Sequence, residues 1–113
     1  MSAGAAAAMV TVDNVRNAYA RIRDSLFLSP CPHSETFSQL SGNQVFLKLE
    51  NLQMTGAYKE RGALNKILEL TPLERERGLI AASAGNHAQA VSYHATKRGI
   101  AAQIVMPMAT PLN

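Results

Sequence analysis

The chain of 113 residues is long enough for one modest domain and too short for a large two-domain enzyme. Apolar residues make up 47% and charged residues 17%, a composition that favours a buried sheet over a disordered or coiled-coil protein. The net charge of +3 comes from residues 51–113, and no basic run exceeds Lys97-Arg98. Because aromatic residues are not interleaved with these basic residues, we do not expect nucleic-acid binding, whereas a small anionic ligand would fit the charge.

The sequence carries no sign of export or membrane insertion. The single cysteine, Cys31, rules out an internal disulfide and is expected to be a partly buried thiol without chemistry. No apolar run approaches the ~20 residues of a membrane span. Residues 1–10 form a low-complexity, Ala-rich tail without the features of a secretory or organellar leader, so we expect a cytoplasmic protein.

The first predicted element is a helix that begins after residue 10, with Thr11 or Asp13 as its N-cap. Its apolar residues recur at intervals of three and four: Val15, Ala18, Tyr19, Ile22 and Leu26. Two prolines in the stretch 29–32 exclude a helix there, because proline removes a backbone donor and fixes φ. A turn at 41–43 leads into the alternating run 45–50, which predicts a strand.

The remaining residues predict alternating helices and strands. In chain order they are a loop over 51–58, a helix that stops at Thr71-Pro72, a charged helical turn over 73–77, a strand over 79–82, a loop over 83–87, a helix over 88–98 and a strand over 100–106. This order predicts an α/β fold in which helices flank an open parallel sheet. Ligands bind such sheets beyond the carboxyl ends of the strands, where helices begin.

The loop that contains Ser83, Ala84, Gly85, Asn86 and His87 lies at such a junction. Its small residues would let a ligand approach the backbone N–H groups, and the helix that follows adds a partial positive charge suited to a carboxylate or phosphate. The alternative is that Ser83 or Asn86 only caps the helix. Neither the dinucleotide-binding fingerprint nor the phosphate-loop motif is present.

Lys59 lies at the other junction. Most lysines are mobile surface residues, but one that forms an imine is partly desolvated, which frees its amine. Small neighbours would let a planar ring lie close to the backbone there: Gly56, Ala57, Gly62 and Ala63. We expect Tyr58 to belong to the core, with a role in shaping the pocket as the alternative, and Glu60 and Arg61 to be a solvated or paired helix start.

The histidines indicate no metal site, because no Cys or His cluster has the spacing of ligands. His94 is expected to be a structural or surface residue inside its helix. His87 follows the candidate anion site, and it either shapes that site or has a capping or packing role.

Four segments together resemble the N-terminal part of the threonine dehydratases. They are Phe46-Leu47-Lys48-Leu49-Glu50-Asn51-Leu52-Gln53, Thr55-Gly56-Ala57-Tyr58-Lys59-Glu60-Arg61-Gly62-Ala63, Ala82-Ser83-Ala84-Gly85-Asn86-His87-Ala88-Gln89 and Ile104-Val105-Met106-Pro107. The resemblance implies the catalytic fold of fold-type-II pyridoxal-phosphate enzymes, which is similar to the tryptophan synthase β-subunit. Residues 11–113 would be the N-terminal portion of that domain, truncated, and the full-length form a homo-oligomer.

The resemblance also implies roles for residues. Lys59 would carry pyridoxal phosphate and remove the α-proton of the amino acid, Asn86 would hydrogen-bond the cofactor's ring hydroxyl, and the loop of residues 83–87 would hold the substrate carboxylate. The reaction would be dehydration and deamination of L-threonine to 2-oxobutanoate, or of L-serine to pyruvate, with release of ammonia. The sequence does not separate isoleucine biosynthesis from a catabolic role.

Two alternatives stay open. Serine racemases are similar, but they carry a serine where this chain has Ala84, and alanine cannot exchange a proton. The chain also has no glycine-rich loop for the cofactor phosphate between Asn51 and Asn113. We therefore expect the isolated chain to be inactive, and a non-catalytic fragment that binds a partner is the second alternative.

Overall fold

A computed structural model describes residues 9–110, which form an α/β structure of short helices around a small parallel sheet. The helices are α1 (Val12–Ile22), α2 (Glu35–Ser41), α3 (Lys59–Glu69), α4 (Pro72–Arg77) and α5 (Asn86–Thr96), and the strands are β1 (Leu79–Ala82) and β2 (Ala102–Val105). Two 3-10 turns cover Arg23–Ser25 and Glu50–Leu52. None of the helices within residues 9–110 is long and apolar enough to cross a membrane.

The N-terminal helix was predicted correctly, and it packs on α3. The Thr11 hydroxyl accepts a hydrogen bond from the Asn14 N–H, and the Asn14 side chain accepts one from Thr11 in return, which completes a capping box. Ile22 is buried, and Arg21 pairs with Glu69 of α3 at 2.9 Å. The prediction that Leu26 continues the helix was wrong, because a 3-10 turn ends it at residue 25.

The predicted strand over Val45–Glu50 is absent from the sheet. Its backbone is extended and lies along residues 30–34 instead, where Leu47 and Leu49 donate to the carbonyls of Pro32 and Pro30 at 2.9 and 3.0 Å. Proline can accept such bonds but cannot donate them, so only an isolated bridge between His33 and Phe46 forms. The short helix α2 that lies between the two segments was not predicted.

The described residues form a two-stranded sheet in place of the predicted three strands. Its strands are parallel, with Leu79 opposite Ala102 and Ala82 opposite Val105. One face packs on helices through the partly buried side chains of Leu79, Ala81, Ala102 and Ile104. Ile80 and Val105, on the other face, are 73% and 56% exposed. Parallel sheets are usually covered on both faces, whereas this sheet is covered on one face only within the described residues.

Helices α3 and α5 form the core with the inner face of the sheet. Small residues at their contact allow a close approach: Ala63 on α3, and Ala90 and Ala95 on α5, are each at most 6% exposed. Ile67 is 2% exposed, and burial of a side chain of this size contributes about 1.5–3 kcal/mol. This packing fixes the starts of both helices relative to β1.

The entry into β1 depends on Gly78. Its φ of 82° and ψ of −170° suit glycine alone, and a β-carbon built there would lie 2.7 Å from the Ala101 carbonyl oxygen. The Leu79 N–H donates to that same oxygen at 2.8 Å. The close approach therefore joins the end of α4 to the segment that leads into β2.

Candidate functional site

An open cleft of about 500 Å³ lies where α3, α5 and β1 meet. Twelve residues line it: Tyr58, Lys59, Arg61, Gly62, Ala63, Lys66, Ile67, Leu79, Ile80, Ala81, His87 and Val91. Its walls combine apolar strand and helix residues with three cationic side chains, and no carboxylate is among these lining residues. The cleft therefore suits a ligand that has a planar apolar part and negative charge.

Lys59 is the first residue of α3, and its side chain is exposed in this cleft. The Nζ atom lies 5.1 Å from the centre of the Tyr58 ring, within the range of a cation–π contact. Tyr58 is 61% exposed, so the prediction that it belongs to the core was wrong. It forms part of the wall beside the lysine because the turn before α3 directs residue 58 outward.

The loop before α5 leaves the start of that helix open. Gly85 is the N-cap and no side chain caps the helix, so neither Ser83 nor Asn86 has the capping role given as the alternative. The Ser83 hydroxyl instead accepts from the Gly85 N–H at 3.3 Å, inside the loop. A β-carbon at Gly85 would meet nothing within 4 Å, so the loop is open at the residue that precedes the helix.

The structure brings Lys59 and His87 into one cleft and leaves the other predicted site residues beside it. Asn86 begins α5 and is exposed, but it does not line the cleft. Ser83, Ala84 and Gly85 lie in the adjoining loop and do not line it either. The exposure of Asn86 leaves its amide free to meet a ligand.

Sequence reasoning missed the two further cationic residues of the cleft, Arg61 and Lys66. A signal for Lys66 was present, because residues that lie three, four, seven and eight positions after Lys59 share one face of a helix. These positions hold Gly62, Ala63, Lys66 and Ile67, and all four line the cleft. The position of Arg61 depends on a partner outside the helix.

That partner is Glu50. Arg61 donates to its two carboxylate oxygens from Nε at 2.7 Å and from Nη2 at 2.8 Å. The buried hydroxyl of Ser29 donates to the same carboxylate at 2.6 Å. The hydrogen bond from Arg61 holds the pKa of Glu50 down, and although desolvation opposes it, the pKa falls from 4.5 to about 2. Residues 29, 50 and 61 are thereby fixed together.

Two more ionisable groups, one on α3 and one on α5, are buried against each other. Glu60 and His94 are each 1% exposed, and Glu60 Oε2 lies 3.4 Å from His94 Nε2. Burial lowers the pKa of His94 below its ordinary value, and the Glu60 carboxylate opposes that effect. The expectations that Glu60 is paired and that His94 is structural agree with this arrangement. Cys31, by contrast, is exposed and not partly buried.

The residues fit a cofactor that has an aldehyde and an anionic group. Lys59 offers an amine in an open cleft, Lys66 supplies positive charge, and the uncapped start of α5 offers N–H donors. Within residues 9–110 no group of three His, Cys, Asp or Glu side chains could hold a metal ion. The amine, the cationic side chain and the N–H donors are the groups that such an organic cofactor would use.

The sequence pattern of the pyridoxal-phosphate-dependent enzymes matches residues 22–113. The chain belongs to this family. The prediction of threonine dehydratase-like, fold-type-II character is confirmed by relatives and solved structures, and the prediction of pyridoxal phosphate as the cofactor is confirmed for the family.

The chain is 44% identical over 105 residues to an L-threonine ammonia-lyase of Thermotoga maritima, a match that covers 93% of this chain and 26% of the relative. Among solved structures, the serine racemase of Dictyostelium discoideum matches with a TM-score of 0.84 at 36% identity, over 90% of this chain and 34% of that one. The processed form of threonine deaminase isoform 2 from Solanum lycopersicum matches with a TM-score of 0.73 at 34% identity, over 90% of this chain and 30% of that one. The chain thus spans about a quarter to a third of these proteins.

Proposed function

We propose that residues 11–113 are the N-terminal portion of the catalytic domain of a pyridoxal-phosphate-dependent dehydratase. The reaction is conversion of L-threonine to 2-oxobutanoate and ammonia, or of L-serine to pyruvate and ammonia. The observation that carries this proposal is the shared cleft, which Lys59 and His87 both line although they lie at the starts of different helices. The similarity to an L-threonine ammonia-lyase supports the choice of substrate.

In this proposal the chain's own residues bind the amino acid and move one proton. The loop of residues 83–87 and the open start of α5 hold the substrate carboxylate, and the Asn86 amide hydrogen-bonds the cofactor's ring hydroxyl. Lys59 binds the cofactor and removes the α-proton of the substrate at Nζ. Pyridoxal phosphate, when bound, supplies the electron sink for the resulting carbanion.

Racemisation of serine is the second candidate, and the likeness to a serine racemase structure is the observation in its favour. Racemisation requires an acid–base group on the face of the substrate opposite the lysine. Ala84 cannot exchange a proton, so the loop supports dehydration better. Formation of D-serine from L-serine by the full-length protein, at a rate comparable to that of pyruvate, would favour racemisation instead.

A trapping experiment tests the site. The Lys59 amine condenses with the aldehyde of pyridoxal phosphate with loss of one water, and borohydride then reduces the C=N bond, so that peptide mass spectrometry can locate the adduct. We expect the adduct to concentrate on Lys59, because this lysine lies in a cleft with groups that can bind an anion. The adduct should be lost in Lys59→Ala.

The matched control is Lys97→Ala, which removes a lysine from the far end of α5 and should leave the Lys59 adduct unchanged. An adduct spread evenly over Lys48, Lys59, Lys66 and Lys97 would contradict the proposal, since it would show that no lysine is set apart by its surroundings.

A further inference from the structure

Glu60 follows Lys59 in the chain and is buried against the imidazole of His94, and the proposed reaction uses neither group. Glu60 and His94 are each 1% exposed and do not line the cleft. An ionised carboxylate that is removed from water destabilises the fold by several kcal/mol unless it has partners. The retention of Glu60 at this position therefore calls for a physical reason.

The first partner of Glu60 is the loop that precedes the lysine. Its Oε1 accepts a hydrogen bond from the backbone N–H of Thr55. Thr55 is followed by Gly56, whose φ is 69° and whose N–H donates to the Gln53 carbonyl at 2.9 Å. The second residue of α3 thus reaches back to the turn before the helix, so the turn and the helix start are held as one unit with Lys59 between them.

The second partner is the ring of His94 on α5. Arg98 Nη1 donates to His94 Nδ1 at 3.3 Å. Because a guanidinium group can only donate, Nδ1 accepts, and the single proton of the neutral ring resides on Nε2, the atom that faces Glu60. Nε2 makes no hydrogen bond among the described residues, and the Glu60 carboxylate oxygen at 3.4 Å is the acceptor that it faces.

We propose that Glu60, supported by His94, is a positioning residue for Lys59. Its carboxylate ties the Thr55 backbone to α3 and the imidazole ties α3 to α5, so the amine is presented to the cleft at a fixed point relative to the start of α5. This inference rests on the proposed role of Lys59.

Two measurements on the purified chain test the role, and one of them does not involve the cofactor. Glu60→Ala should raise the hydrogen-exchange rate of the Thr55 amide about tenfold, because it removes one buried charge-assisted hydrogen bond. In the same variant the trapped pyridoxal-phosphate adduct on Lys59, relative to that on Lys97, should fall at least about threefold. Glu60→Gln keeps an oxygen acceptor for Thr55 and should restore most of both signals.

The folded fraction of each variant is measured by urea unfolding, so that rates are compared in folded protein. His94→Gln leaves the carboxylate in place and is the milder change; it should lower the preference for Lys59 about twofold to threefold. The matched control is Glu76→Ala, since Glu76 is exposed and makes no side-chain hydrogen bond or ion pair within residues 9–110.

The outcomes separate the two proposals. If the native chain forms no preferential adduct on Lys59, both the proposed function and this inference fail. If the native adduct forms but Glu60→Ala changes neither the preference for Lys59 nor the exchange of Thr55, only the positioning role fails. A loss of stability without a change in adduct preference would likewise overturn it, because a purely structural contact would give that result.

Discussion

Glu50 and Glu60 are both paired carboxylates beside Lys59, but the chain holds them differently. Glu50 receives charged hydrogen bonds from Arg61 and a hydroxyl bond from Ser29, and 15% of its side chain is exposed. Glu60 is buried, with a backbone amide and an imidazole as its partners. Hydrogen bonds to charged groups stabilise by about 1.5–3 kcal/mol, and Glu50 receives such bonds from a guanidinium group that carries the opposite charge.

The low pKa of Glu50 makes stability depend on pH. Because this pKa falls from 4.5 to about 2 on folding, ionisation favours the folded state. The contribution is complete above pH 4.5 and is lost as the pH falls through about 2. We expect Glu50→Gln to lower the free energy of unfolding by about 1–3 kcal/mol at neutral pH, and the difference from the native chain to shrink steadily in acid.

Urea unfolding of both proteins across this pH range measures the effect. Glu76→Gln is the control, because it removes an exposed carboxylate of the same kind. A difference between Glu50→Gln and the native chain that stays constant from neutral pH to pH 2 would show that the pairing with Arg61 is not its origin.

At the scale of elements, the sequence predicted what depends on neighbours along the chain. The spacing of apolar residues placed α3 and α5, and Thr71-Pro72 marked where α3 ends and α4 begins. The sequence of residues 45–50 does not show that this run pairs with a proline-containing segment. The prolines, which lack N–H donors, lie in the partner segment 30–34 and not in the run itself. The contact between Glu60 and His94 could not be predicted either, because the two residues lie on different helices.

The candidate site shows the same division. The positions of Lys59 and His87 near the starts of two helices could be predicted, because the sequence marks where α3 and α5 begin. The contribution of Arg61 could not, since it depends on Glu50, which is held in turn by Ser29. Interactions between residues far apart in sequence leave no periodic signal in either segment.

Gly78 provides a test at this scale. Alanine there would have to adopt a backbone conformation that is nearly restricted to glycine, and its β-carbon would lie 2.7 Å from a carbonyl oxygen. We expect Gly78→Ala to lower the free energy of unfolding by about 1–3 kcal/mol, or more if the strand entry must shift. The measurement is the urea unfolding curve at neutral pH.

Gly62→Ala is the matched control, with an effect of opposite sign. Gly62 lies inside α3, and a β-carbon there would meet nothing within 4 Å. Alanine in a helix interior is favoured over glycine by about 0.5–1 kcal/mol, so this variant should gain stability. Equal losses in both variants would show that the close approach at Gly78 does not cause the effect.

At the scale of the whole molecule, the described residues contain one wall of a site and an incompletely covered sheet. Ile80 and Val105 are exposed on the outer face, and the chain spans only 26% of the Thermotoga maritima relative. The cleft has an amine and cationic side chains. The sequence of residues 51–113 contains no glycine-rich loop that could hold a phosphate.

We therefore expect the isolated chain to form negligible 2-oxobutanoate from L-threonine, even with pyridoxal phosphate in excess. The physical reason is orientation: an amine that condenses with the aldehyde does not by itself hold the ring and substrate in a reactive geometry. The assay is 2-oxobutanoate release by the purified chain, with Lys59→Ala as its blank. Robust release that disappears in Lys59→Ala would show that these residues suffice.

Gly78 also determines how the two strands align. Apolar side chains lie on both faces of the sheet, with Leu79 and Ile104 towards the helices and Ile80 and Val105 on the other face. Sliding one strand by a single residue would exchange its faces, and with both faces apolar the alternation specifies the alignment only weakly. Gly78 selects one alignment, because only a residue without a side chain admits Ala101 so closely. At the other end of β1, the Ser83 N–H donates to the Val105 carbonyl oxygen at 3.0 Å. The alignment of the strands therefore also fixes the position of the Ser83 loop relative to β2, although Gly78 itself does not line the cleft.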